Sequence, residues 1–496
     1  MTDKKVIELL ALELFEEWAI EHGSSDQSFS SNVRSLQQFI CALPDRKALL
    51  LGQRSPKTDT SLHLSRSYSA SYDKLLEQAK QALDYYLLVG PPGTGKTSQA
   101  LRFLVEEELN GEKSQTRIAS SSSSILLMAY TNRAVDEICA MLDEEGHAYL
   151  RLGNKNSCDP RFHHHLLDSA LDSMSKPDDI RTYIKSCPII VGTTSTIQSH
   201  QEIFTLKHFS LCIIDEASQI LEPHIIGLLS HPHINRFILI GDHKQLPAVV
   251  GCDEPSSRIE EPLLHAIGLT DCRQSLFERL LRWEQHEGRT QFVGTLNHQG
   301  RMHPEVAQFA CNHFYQQEHL QPVPLPHQKE SGPLYLVTPE DDIDRRLIEQ
   351  RVLFVPSTTD NEAELVAGLV GRIHHFVAHA FEPEKTIGII VTYRSQIAPI
   401  RNAISRLGIA SLENISIDTV ERYQGSQRDV IIYALGISRR YQMDFLTANT
   451  FYEDERPIDR KLNVAMTRAR RQLIITGNEG ILSTNRLFRE VIKNFS

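Results

Sequence analysis

Residues 85–97, YYLLVGPPGTGKT, constrain this chain more than any other stretch. Five apolar residues run into Gly90-Pro91-Pro92-Gly93-Thr94-Gly95-Lys96-Thr97, and a helical pattern follows over 98–108. This is GxxxxGK[ST] in the context that gives the pattern meaning: strand, tight loop, helix. The glycines let backbone N–H groups turn inward onto phosphate oxygens. Lys96 meets the β- and γ-phosphate charge, and the Thr97 hydroxyl is placed to ligate Mg²⁺. The expected ligands are therefore ATP and Mg²⁺, and the fold that can carry such a loop is α/β.

Two later strands end in polar residues of complementary chemistry. LCIIDEASQ (211–219) is an apolar run closed by Asp215 and Glu216, the first suited to Mg²⁺ and the second to polarising an attacking water. FILIGDHKQLP (237–247) leads to Gln245, whose amide can sense the γ-phosphate or that water. Read locally, a loop with a satisfied Gln fits as well.

Continuous Ile/Val/Leu runs indicate strands buried on both faces, as in parallel sheets. A first series falls at 85–89, 125–130, 189–193, 211–214 and 237–240. A second falls at 292–296, 387–392, 415–419, 430–435 and 473–476. Two series imply two tandem α/β domains bordering near 285–295. The expected division is a helical, polar segment over 1–80, a first domain over 81–288 and a second over 289–496. Residues 1–20 read as an amphipathic helix, 120–124 as a serine-rich loop, 321–327 as an extended proline-rich surface connector, and 339–346 as a charged turn. His163–His165 reads as an exposed run, because adjacent side chains point apart and no carboxylate or Cys lies at ligand spacing nearby in sequence.

Composition excludes other classes. Apolar residues are 41% and charged residues 23% of the 496, ordinary for a globular protein. No apolar run approaches the roughly 18 residues of a membrane span, so no membrane partner is expected. Eight cysteines stand singly without a CxxC pair, which reads as reduced thiols in a cytoplasmic protein. A net charge of −11 argues against coating nucleic acid by bulk charge, though a local basic channel remains compatible with it.

Taken together, these motifs resemble superfamily 1 helicases, and DEASQ (215–219) with GDHKQLPAV (241–249) resemble its 5′-to-3′ branch. That branch includes the nonsense-mediated-decay RNA helicase and the helicase half of the Okazaki-fragment nuclease-helicase. Further segments match in order: YTNRAVD (130–136), QGRMHP (299–304), TYRSQ (392–396), DTVERYQG (418–425) and LNVAMTRAR (462–470). The resemblance implies two RecA-like domains with ATP between them. The first would supply Lys96, Thr97, Asp215, Glu216 and Gln245; the second would direct Arg301 and Arg468 at the γ-phosphate. It also implies single-stranded nucleic acid across both domains, contacted by Thr131, Asn132, Thr194, Tyr393, Arg394 and Thr419. Tyr393 equally fits a packed core aromatic.

The chain departs from the family pattern in two places. The Gln that the family places ahead of the phosphate loop falls near Tyr72, with Gln78 and Gln81 closer to the strand. Gly300 stands where the family has an aromatic ring, and Gln427 where it has Glu. Loose base discrimination follows as an expectation, with ATP, GTP and CTP turned over comparably. The second departure is the absence of a recognisable clamp barrel or nuclease region, which implies a minimal motor or the C-terminal part of a longer product. The function expected is an ATP-dependent, 5′-to-3′ helicase or translocase, acting as a monomer. DNA is favoured over RNA by the likeness of AYTNRAVDEI to DNA-processing relatives. The alternative is an ATP-switched nucleic-acid-binding module with little unwinding.

Overall fold

In the computed structural model, which describes residues 27–111, 124–171, 176–250, 254–358 and 360–496, the apolar runs become two parallel sheets. The amphipathic reading of 1–20 and most of the serine run lie outside the described residues.

The first sheet comprises β1 (Tyr85–Val89), β2 (Ile125–Ala129), β3 (Tyr149–Arg151), β4 (Ile189–Thr193), β5 (Phe209–Asp215), β6 (Ile234–Gly241) and β7 (Val293–Thr295), in the order β3-β4-β2-β5-β6-β1-β7. Every pairing is parallel. Period-two alternation divides each strand between two cores: Tyr85, Leu87 and Val89 pack on one face, Tyr86 and Leu88 on the other. Covering both faces is what makes these strands apolar throughout.

β7 corrects the expected border. The 292–296 run, read as the opening of the second series, instead pairs with β1 and closes the first sheet. Its side-chain pattern is compatible with either sheet, and only the pairing partner distinguishes them.

β8 (His298–Gln299) and β9 (Gln321–Pro322) then form a short parallel pair. The second sheet follows, with β10 (Val352–Pro356), β11 (Ile387–Val391), β12 (Ser416–Thr419), β13 (Arg428–Ala434) and, after a hairpin of β14 (Thr450–Glu453) and β15 (Arg456–Asp459), β16 (Ala469–Gly477). Its order is β10-β16-β13-β11-β12, again all parallel. The hairpin carries no Asn-Gly or Asp-Gly signal. Asp454 and Glu455 adopt its positive-φ turn instead, at 48° and 63°.

Of the N-terminal segment, the described residues 27–80 pack against the first sheet's domain and do not stand apart from it. Helix Gln27–Cys41 lies on helix Glu222–Leu229, where Gly227 N–H donates to Ser35 Oγ at 2.9 Å. A Cβ on Gly227 would come within 2.4 Å of the Ser35 carbonyl, so only glycine permits this approach. Arg279, fully buried, donates to both Glu222 oxygens and to the Leu50 and Ile267 carbonyls. Removing one side of such a pair costs about 3–5 kcal/mol. Residues 339–346, expected as a turn, largely enter helix Asp342–Glu349, because the Asp341 carboxylate accepts from Asp344 N–H and caps it.

Candidate nucleotide site and nucleic-acid face

Three neighbouring strands, β5, β6 and β1, end side by side, and each ends in a loop with chemistry. This is the crevice at strand carboxyl ends where open α/β sheets bind ligands. After β1, Gly90 N–H is held by the Gly241 carbonyl at 2.9 Å. Gly93 and Gly95 take φ of 74° and 73°, which folds the loop inward. Thr94 Oγ1 donates to the Pro91 carbonyl at 2.8 Å, and the Tyr72 hydroxyl donates to the Thr94 carbonyl at 2.9 Å.

Side chains from the phosphate loop and the end of β5 meet here. Thr97 Oγ1 donates to Asp215 Oδ2 at 2.6 Å, and Lys96 Nζ lies 3.3 Å from Glu216 Oε1. Hydroxyl and carboxylate oxygens make a hard donor set, which fits Mg²⁺. Glu216 adopts φ 53°, a left-handed conformation unusual for Glu, and its Oε2 accepts from Gln219 Nε2 at 2.9 Å. Burial and the adjacent Glu216 charge push Asp215 above the usual carboxylate range, against Lys96 and Thr97. Burial also opposes the Glu216 charge, but Lys96 and Gln219 outweigh it and hold this carboxyl low. Glu216 is thus the member of the pair held ionised, beside the Lys96 ammonium.

From the second half, Arg468 Nη2 donates to Gln245 Oε1 at 3.0 Å, and Gln245 Nε2 donates to Asp242 Oδ2 at 2.8 Å. Arg301 donates through Nε to Gln427 Oε1 at 2.9 Å and through Nη1 to the Thr467 carbonyl at 3.3 Å. Burial lowers the pKa of both guanidiniums, and Arg301 adds repulsion at Arg468. Each cation is held in a place that disfavours its charge, so an anion entering between them relieves both. The open cleft they line is about 800 Å³, with Lys96, Thr97, Glu216, Gln245, Arg301, Gln427 and Arg468 among its walls.

Several residues with no sequence-level assignment complete this site. The Tyr315 hydroxyl donates to Asp242 Oδ2 at 2.7 Å, and Asn463 Nδ2 donates to that hydroxyl at 2.8 Å and to the Lys244 carbonyl at 2.7 Å. Lys244 Nζ reaches Glu318 Oε1 at 2.8 Å and Glu453 Oε2 at 2.5 Å. Burial opposes the Glu453 charge, but His243 and Lys244 outweigh it and hold the carboxyl at about 2. Gln245 therefore sits in a buried polar network that crosses between the halves. Lys244 and Asn463 lay within quoted motifs; Tyr315, Glu318 and Glu453 carried no sequence signal.

At the base end the site is sparse. Gln78 and Gln81 do not line the cavity: Gln78 Oε1 accepts from Tyr86 at 3.3 Å, and Gln81 Nε2 donates to the Leu62 carbonyl at 3.0 Å. The proline-rich connector lies at the surface as expected, none of residues 321–327 being buried, and from there Val323, Pro324 and Leu325 line the mouth of the cavity. Leu325 lies where a side chain on Gly300 would stand, 3.1 Å from a Cβ there.

The nucleic-acid candidates lie at carboxyl ends of strands in both sheets. Thr131, exposed, follows β2, and its Oγ1 accepts from Ala134 N–H as a helix cap, beside half-buried Asn132. Thr194 after β4 and Thr419 at the end of β12 have buried side chains. Tyr393 is half-buried after β11, and Arg394 is exposed. Away from this face, His165 Nε2 sits 3.0 Å from Asp143 Oδ1, and His164 completes a group with ligand atoms within 4.8 Å of one another. The sequence reading missed that carboxylate, because only the fold brings the end of helix Asn132–Glu144 to the histidine run.

Fold and site define a tandem RecA-like P-loop NTPase. A family profile described as an AAA domain matches residues 272–480, and a second AAA-domain profile matches 64–179 and 173–252. The chain is 27% identical over 493 residues to the DNA replication ATP-dependent helicase/nuclease JHS1 of Arabidopsis thaliana, covering 94% of this chain and 33% of that protein. It is 27% identical over 450 residues to the DNA replication ATP-dependent helicase/nuclease DNA2 of Mus musculus, covering 85% and 38%. An arterivirus nonstructural protein 10 (helicase), solved with DNA, superposes with a TM-score of 0.41 at 17% identity, covering 84% of this chain and 65% of that one, too slight a likeness to add to the fold described. The chain resembles the superfamily 1 helicases, and among them the helicase half of the DNA2 and JHS1 proteins. It spans about a third of the length of those relatives. Among the described residues no helix is long and apolar enough to cross a membrane.

Proposed function

We propose that the chain is an ATP-dependent helicase or translocase that hydrolyses a nucleoside triphosphate between its halves and moves along single-stranded DNA, 5′ to 3′. The observation that carries this reading is the entry of Arg301 and Arg468 from the second half into the phosphate-loop cavity of the first. Hydrolysis at such a site requires both halves, so each turnover changes their fit. Lys96 neutralises β/γ charge, Glu216 takes the proton of the attacking water, and Gln245 with Arg468 sits against the γ-phosphate. Mg²⁺, held by Thr97 and Asp215, would neutralise phosphate charge as it develops. Thr131, Asn132 and Arg394 would touch the strand by side chain. Thr194 and Thr419, with buried side chains, would act through their backbone. The protein would work as a monomer.

Steady-state ATP hydrolysis with single-stranded DNA, with RNA and without either, beside Lys96→Ala, tests this. The expected result is strong stimulation by DNA and a loss of about 10²–10³-fold in the mutant, the scale of removing one preorganised charge partner. Stimulation by RNA alone would reassign the track. Nucleotide binding without stimulation by either would overturn the motor in favour of an ATP-switched clamp.

A further inference from the structure

The run His163–His165 does not line the nucleotide cleft, and the proposed motor makes no use of it. Its three members do different things. His163 is committed within its own turn, its Nε2 donating to the Lys155 carbonyl at 3.1 Å and the Cys158 carbonyl at 3.2 Å. His165 is held by other partners. Its ring stacks on Tyr149 with centroids 3.8 Å apart and planes at 22°, and its Nε2 lies 3.0 Å from Asp143 Oδ1. The His164 ring is 4.0 Å from that of His165, and one ligand atom from each of Asp143, His164 and His165 falls within 4.8 Å of the others.

The cluster sits on the edge of the first sheet. Tyr149 opens β3, the outermost strand, and the short helix Pro160–His165 leads to Leu166, which bridges to Arg151 at the other end of β3. Asp143 comes from the end of helix Asn132–Glu144, so the ligand atoms reach the site from either side of β3 in the chain. A second observation points to the same place. The Tyr149 side chain is buried, and its hydroxyl has no hydrogen-bond partner among the described residues. A phenol stacked this closely carries its hydroxyl to the rim of the imidazole, and buried polar atoms left unmatched by protein are places where a water or an ion belongs.

We propose that Asp143, His164 and His165 bind one Zn²⁺, and that the ion staples the 160–166 segment over the edge of the first sheet. Around a tetrahedral Zn²⁺ with bonds of about 2.0–2.1 Å, ligand atoms stand about 3.3–3.4 Å apart. The His165–Asp143 separation is already close to that, and side-chain rotation brings in His164. Two imidazole nitrogens with one carboxylate oxygen suit Zn²⁺, whereas Mg²⁺ and Ca²⁺ take oxygen donors. Three protein ligands leave a fourth position for water, which the exposure of Asp143 and His164 permits. A simple ion pair would account for His165 on Asp143 but leaves His164 without a role. The stack on Tyr149 fixes the His165 ring, as supporting contacts around metal ligands do. The site is independent of the motor reading.

The test titrates the full chain, free of any polyhistidine tag and stripped with EDTA, with ZnCl₂ against a chromophoric chelator. Excess Mg²⁺ is present to hold oxygen-donor sites. One Zn²⁺ per chain is expected, bound in the micromolar range or tighter, and Co²⁺ in its place should give the intense visible absorption of a tetrahedral site. Asp143→Asn and His164→Gln should each weaken binding by about 100-fold or more. His163→Gln should leave it unchanged. Zn²⁺ should also slow amide hydrogen exchange over 149–166 in the wild-type protein and not in Asp143→Asn, a readout that tests the staple itself. Both substituted ligands are exposed, and melting temperatures without metal check that the variants fold. Equal losses in His163→Gln and His164→Gln with Asp143→Asn unaffected would mean that the histidine run chelates by itself, and would overturn the site. Absence of binding at micromolar Zn²⁺ would overturn it outright.

Discussion

The two ends of the nucleotide cavity are built differently. At the phosphate end stand two hydrogen-bonded and ion-paired clusters, one of Lys96, Thr97, Asp215 and Glu216 and one that joins Gln245 to Arg468 across the halves, with Arg301 bonded to Gln427 beside it. At the base end stand Tyr72, already committed to the Thr94 carbonyl, and an apolar shelf of Val323, Pro324 and Leu325 beside Gly300. A site rejects analogues strongly where its buried polar groups would be left unpaired, and weakly where it offers only apolar contact. We therefore propose that the cavity recognises a triphosphate and reads the base loosely, through Ser69, Ser71 and His298 beside that shelf.

The comparison breaks most visibly at Arg468. Arg468→Ala should lower kcat by about 10³-fold or more, the scale of a transition-state arginine, while nucleotide affinity changes by about tenfold at most. Equal losses in kcat and in binding of a non-hydrolysable analogue would place Arg468 in ground-state binding only. A smaller effect is expected at Tyr315→Phe, which removes the hydroxyl shared by Asp242 and Asn463. It should cost about 1–3 kcal/mol of stability in a denaturant melt and about tenfold in kcat, because Gln245 loses the partner that positions Asp242. If kcat is unmoved, the network is structural and not coupled to turnover. The smallest effect is at the base: kcat/KM for ATP, GTP and CTP should agree within about tenfold. A preference for ATP of a hundredfold or more would mean that Ser69, Ser71 or His298, which also line that end, read the base strictly.

Much of the phosphate end was legible in the sequence because its parts are local. A strand followed by GPPGTGKT can place Lys96 and Thr97 in only one way, and an apolar strand ending in Asp215-Glu216 delivers both carboxylates to the same edge. The positions of Arg301 and Arg468 needed the resemblance, since a basic residue in RMHP or TRAR has no local signature of pointing at phosphate. The base end was legible only as departures: Gly300 and Tyr72 said what was missing, but not that Leu325 occupies the gap. The stacking of Tyr393 on Phe445 was not legible at all, because the two lie far apart in the chain and meet only when β11 and β13 pair.

What the sequence by itself determined is the class of the fold and the chemistry of the loops. Continuous apolar runs demand strands covered on both faces, and glycines at 93 and 95 admit the positive φ that the phosphate loop requires. What only the tertiary structure decided is every relation between elements that neither periodicity nor composition encodes. Such relations are the attachment of β7 to the first sheet, the packing of 27–84 onto the first domain, the Lys244–Glu453 link between the halves, and the approach of Asp143 to His165. The physical reason is that local conformation is set by residues within a few positions of one another. Pairing partners and buried ion pairs are instead selected by the shape and charge of the whole folded surface.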